Sequence, residues 1–216
     1  AHPRMLEQIT TIHGIPNLWL RTYCRDRDEW LGATTQHYKL DEHPEVISGE
    51  TTARDISKEL FIILAYGGGV DRWRKNWSEE GEDGWKIPNI EPPDEIKNFK
   101  AEMKAIHNRI KDENPHLTAQ VIALKTKNEE PEGTYNLGGS VTSYYLQEWE
   151  CRILEHIFQY CVEKKYIQNG EAMLCADGII LDKKYYHDGI PAELERVIEE
   201  RSGFKLKMER KEMNKG

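Results

Sequence analysis

Arg54, Lys58, Ile62 and Tyr66 recur at four-residue steps, so on a helix they form one stripe. Two cations at its start and an aromatic ring at its end could meet a polyphosphate, while Leu60, Phe61, Ile63 and Leu64 supply apolar bulk beside and behind it. A plainer alternative is a solvated face, where Arg and Lys four apart are common. Asp177 is the second candidate. Phosphoryl transfer by two metal ions about 3.5–4 Å apart needs carboxylates on rigid strands. Asp177-Gly178 between apolar runs is a tight-hairpin signal, and such a turn can also be purely conformational. Arg72, Arg74 and Lys75 alternate with Trp73 and Trp77, which suits either a single-stranded nucleic acid or a half-buried amphipathic helix.

Several elements must position these groups. Residues 3–13 and 16–31 read as two helices, with Pro16 in a first turn, and 32–50 as a polar connector. Thr51 or Thr52 can cap the helix that carries Arg54 to Tyr66, and Gly67-Gly68-Gly69 ends it. The glycines follow a helix and lack Gly-Lys-Ser/Thr, so they read as a stop signal rather than a phosphate loop. A helix from Val70 to Glu80 leads into a Gly-, Asp- and Pro-rich loop over 79–93. Two helices fill 94–127 with a break at Asn114-Pro115, and 129–133 is a turn. Val141 to Tyr166 carries the longest apolar stripe, including Leu146, Trp149, Ile153, Ile157 and Cys161. A hairpin around Asp177-Gly178, a helix over 191–201 and a strand over 204–208 give a β-β-α-β end behind a helical front. The fold class is α+β.

The formal net charge is −8, so nucleic-acid contact must come from local basic clusters and metal ions, and the balance weighs against a pure nucleic-acid-binding module. Cys24, Cys151, Cys161 and Cys175 form no Cys-x-x-Cys pair and read as reduced, half-buried thiols of an intracellular protein. No apolar run reaches the eighteen or so residues of a membrane span. His13, His37, His43, His107, His116, His156 and His187 have no ligand-like spacing and read as surface or satisfied core residues.

The spacing Arg54-x3-Lys58-x7-Tyr66-Gly67 resembles motif B of the family A DNA polymerases and their single-subunit RNA polymerase relatives. The long helix opening Ser143-x3-Gln147, followed by Asp177, resembles the later motifs of that family. The similarity is greatest to the branch found in viruses and mobile elements, often fused to primase or helicase modules. Ala1-His2-Pro3 is similar to the tail of that branch's Asp-x-x-Asn-x-His-Pro, Tyr23-x3-Arg27 to its next element, Gly139 to Glu150 to its Gly-Ser-x-x-Ser-x-x-Leu-Gln-x-x-Glu, and Ala176-Asp177-Gly178 to its motif C.

The resemblance implies mostly helical fingers over 21–133 and a palm with a small antiparallel sheet over 1–20 and 134–216. It implies that Arg54 and Lys58 bind triphosphate, that Ile62, Tyr66 and His2 shape the nucleotide site, and that Ser143 and Gln147 touch the primer-template. It also implies Mg²⁺ on Asp177, with a second Asp five residues before His2. Partners would be primer-template DNA, nucleoside triphosphates and a helicase or primase. Ile62 and His2 depart from the aromatic and Glu of mainstream enzymes, and Ala176-Asp-Gly from His-Asp-Glu, which leaves the choice of sugar open. The alternative is a non-catalytic nucleic-acid-binding or assembly module of a replication protein.

Overall fold

Thr52 starts the central helix. In the computed structural model, which describes residues 2–78, 84–127, 136–167, 173–175 and 178–210, its Oγ1 accepts the Asp55 N–H at 3.1 Å and donates to Asp55 Oδ2 at 2.7 Å. That reciprocal cap satisfies an otherwise orphaned donor at the helix start. The helix, α5 (Ala53–Ala65), ends where Gly67 turns left-handed at φ 75°. There the Gly67 N–H reaches Leu64 O and the Gly68 N–H reaches Ile63 O, a Schellman closure that needs a residue without a Cβ.

Contacts divide the chain into two compact units, Ala1–Tyr144 and Tyr145–Gly216, so residues 1–20 fall with 21–133 in the first. The first unit contains α1 (His2–Ile12), α2 (Leu18–Arg25), α3 (Arg27–Tyr38), the one-turn α4 (Pro44–Ile47), α5, α6 (Val70–Asn76), α7 (Asp94–Glu113), α8 (Pro115–Lys127) and the start of α9 (Leu137–Glu163). Four aromatic side chains from four helices fix α5 in place. Tyr23 stacks on Phe61 with centroids 4.6 Å apart, and Trp30 and Phe99 meet Phe61 edge-on at 5.7 and 5.6 Å. Glu102 of α7 accepts the N–H groups of Trp19 and Leu20 at 3.1 and 2.7 Å, so a carboxylate more than eighty residues away caps α2.

Two local expectations are corrected here. The helix expected over 16–31 breaks at Asp26, and the expected connector over 32–50 is helical as far as Tyr38. Burying Trp30, Leu31, Thr34 and Tyr38 at helical spacing outweighs the roughly 1 kcal/mol that Gly32 costs inside a helix. The break at Asn114-Pro115 is present, as expected, because the residue before proline disfavours helical backbone.

The second unit holds the rest of α9, the strands β1 (Met173–Cys175) and β2 (Gly178–Ile180), and α10 (Ile190–Ser202). The strands pair antiparallel with Cys175 opposite Gly178. Gly178 is therefore a strand residue rather than a turn residue, while Asp177 lies outside the described residues. The expected strand over 204–208 is not formed. Phe204 is buried against Trp149, with Leu206 and Met208 half-buried in the alternation that suggested a strand. Yet Glu195 of α10 takes the Met208 N–H at 3.0 Å and pairs with Lys207 at 2.8 Å, so side chains hold this segment in place of a ladder. The described chain is thus mostly helical with one small antiparallel sheet, an α+β fold.

All four cysteines are free thiols. Burial pushes both Cys24 and Cys161 up to about 11, which keeps them protonated and unreactive, whereas Cys151 is exposed instead of half-buried.

Candidate functional site

The α5 stripe reaches solvent along its length. Arg54 is exposed, Lys58 and Tyr66 are half-buried, and Ile62 is 41% exposed although large and apolar. The opposite face, Ile56, Leu60, Phe61 and Leu64, is fully buried, so this helix does sit on a core while presenting charge. Arg54 donates to Asp28 Oδ1 at 2.6 Å and borders a shallow cavity of about 470 Å³ that Asp41 and Gln36 also line. Lys58 makes no hydrogen bond or salt bridge with the described residues.

At the far end of α5, Ile62 and Tyr66 open into a larger cavity of about 640 Å³. Arg72 of α6, Lys125 of α8, and Ser140 and Ser143 of α9 line it with them. Two cations and three hydroxyl groups face an apolar wall of Ile62 and Ile63, and no carboxylate is among the lining residues. Asn136 fastens this arrangement. Its Nδ2 donates to Tyr66 O at 2.7 Å, and its Oδ1 accepts the Gly139 N–H at 3.0 Å, so one side chain joins the end of α5 to the start of α9. A Cβ on Gly139 would collide with the Tyr66 carbonyl oxygen, so only glycine permits the approach.

His107 of α7 secures the same corner from below. It is buried and its Nε2 donates to Ala65 O at 2.9 Å. Burial holds its pKa below 6.5, and the bond to Ala65 only partly opposes that. Protons therefore favour the unfolded chain. The stability from neutral His107 is complete above pH 6.5 and is lost as pH falls below it. Urea midpoints measured from roughly pH 7.5 to pH 5 should fall less steeply in His107→Gln, whose amide keeps a donor but does not titrate; equal slopes would contradict this.

Of the residues singled out in the sequence, the cavity brings together Ile62, Tyr66, Arg72 and Ser143. Trp73 is corrected: it is fully buried, its indole N–H donates to Ile56 O at 2.9 Å, and its ring meets Tyr38 edge-on, so no base can stack on it. Arg74 is corrected as well. It lies over the Tyr38 ring and bonds Asp71, Asn89 and the Ile90 carbonyl, which ties the loop before α7 to α6 instead of reaching a template. Gln147 is exposed, belongs to the second unit and does not line the cavity. The side chain of His2 and all of Asp177 lie outside the described residues. Lys125 and Asn136 are new, while Ser140 lay within the Gly139 to Glu150 match without a role of its own; for Asn136 the local signal was an Asn two residues before Gly-Gly-Ser, which suits a helix cap.

No known family, curated protein or solved structure matches the chain. Function has to be read from the side chains themselves. Among the described residues no three His, Cys, Asp or Glu side chains gather to hold a metal ion, and Asp177 lies outside the described residues. No described helix is long and apolar enough to cross a membrane.

Proposed function

We propose that this chain is the palm and fingers core of a template-directed nucleotidyltransferase resembling the family A DNA polymerases. One observation carries the reading: the accessible stripe of α5 runs into a cavity where Ile62 and Tyr66 meet Arg72 and Ser143, residues spread over eighty positions of sequence. About 640 Å³ lies within the range of small-ligand sites and suits one nucleotide. Arg72 and Lys125 would neutralise phosphate, the serine hydroxyls would orient sugar or base edges, and Tyr66 with Ile62 would pack against the base. Lys58 and Arg54 would meet the triphosphate about one and two turns earlier along α5.

In the same reading Asp177 and an Asp preceding His2 are the expected metal carboxylates, and Gln147 adds a minor-groove contact. Primer-template DNA and nucleoside triphosphates are the partners, in a replication protein of a virus or mobile element with a helicase or primase attached. Arg72 gives a binding test of this reading. Arg72→Ala should weaken primer-template binding roughly tenfold and lower the salt slope of log Kd by about one, with melting temperature unchanged. Fluorescence anisotropy across a salt series measures both. An unaltered affinity and slope would remove the cavity from the nucleic-acid path.

A further inference from the structure

The tripeptide Lys-Lys-Tyr occurs twice in the second unit, as Lys164-Lys165-Tyr166 after α9 and as Lys183-Lys184-Tyr185 after β2. The fold brings the two together. Tyr166 OH lies 3.1 Å from His187 Nε2 and donates to Glu193 Oε2 at 3.0 Å, and Tyr160 OH donates to the same oxygen at 2.9 Å. The two basic segments are thereby pinned to α10 at one end of this unit.

Charge distinguishes this surface from a scatter of lysines. Lys164, Lys165 and Lys183 are exposed, and their ammonium groups form no hydrogen bond or salt bridge with the described residues. Of the neighbouring acids, Asp182 pairs with Lys184 at 3.3 Å, Glu163 pairs with Arg201 at 2.8 Å and Glu193 accepts from the two tyrosines, while Asp188 is exposed. Tyr185 and Tyr186 are half-buried, with Lys184 4.7 Å over one ring and Arg210 4.5 Å over the other. On a chain of net charge −8 this is a local concentration of cations interleaved with aromatic rings.

We infer that this end of the second unit is a binding platform for single-stranded nucleic acid. Lysines would follow the phosphates and the tyrosine rings would stack on unpaired bases, which a duplex does not offer. The inference does not depend on the cavity of the first unit, and the test keeps the two apart.

The test uses the full chain carrying Arg72→Ala, so that the first-unit cavity contributes little, and a fluorescent twenty-residue oligothymidylate. Substituting Lys164, Lys165 and Lys183 together by Glu should weaken binding at least tenfold and lower the salt slope by about two, near 0.7 per phosphate contact for single strands. The same three changed to Arg should bind as the parent does, which separates lost charge from misfolding. Tyr185→Ala should weaken the single strand about tenfold with the slope retained, since stacking is not ionic. Equal affinity in the Glu variant would overturn the proposal. So would a parent that prefers duplex, one that binds anionic phospholipid vesicles but not the oligonucleotide, or a neutral Tyr185→Ala, which would mark a surface for any polyanion.

Discussion

Phe61→Ala is expected to cost about 3–5 kcal/mol, the largest loss of stability from any single change near the site. Phe61 is fully buried, stacks on Tyr23 and touches Trp30 and Phe99, so its removal leaves a cavity bordered by side chains from α2, α3 and α7. Those neighbours are held by one another and cannot all close in. Against a typical total of about 5–15 kcal/mol, such a loss would leave the variant barely folded. Urea unfolding of Phe61→Ala and Phe61→Leu measures it, with Leu expected to retain most of the stability. A cost below about 1 kcal/mol for Ala would mean that the aromatic cluster does not anchor α5.

Lys58→Ala is expected to lower nucleotide use about ten- to a hundredfold, because a charge-assisted contact is worth about 1.5–3 kcal/mol. Among the described residues Lys58 is committed to no partner, whereas Arg54 already pairs with Asp28 and must exchange that carboxylate for phosphate. Arg54→Ala should therefore cost less than Lys58→Ala. Steady-state extension kinetics in the longest native form of the protein should report a higher nucleotide KM or a lower kcat, with primer-template affinity preserved. Kinetics equal to the parent would take Lys58 out of the nucleotide site.

The parts of the fold legible in sequence are those set by neighbouring residues. Thr52 caps α5 and Gly67 ends it because capping and left-handed closure are decided within five residues. Pro115 separates α7 from α8 for the same kind of reason. What stayed hidden depends on distant partners. Trp73 and Arg74 looked equally suited to a template strand and to a core; Ile56, Tyr38 and the Ile90 carbonyl decided for the core, and none is adjacent in sequence. The continuation of α3 over 32–38 went unseen because Thr34 and Tyr38, which it buries, do not look like an apolar stripe. Phe204 to Met208 has the alternation of a strand, but alternation reports only that one side is covered, and α10 covers it. Asn136 joins Tyr66 across 70 residues, a contact no local pattern announces.

Template-directed primer extension is the measurement that tests the central claim most directly. The longest native form of the protein would be given a labelled primer-template, Mg²⁺, and either deoxy- or ribonucleoside triphosphates. The account predicts products whose sequence follows the template, diminished by Lys58→Ala and by Arg72→Ala, with neither change lowering the melting temperature. Primer-template binding with no extension on any template, or extension untouched by both substitutions, would contradict it.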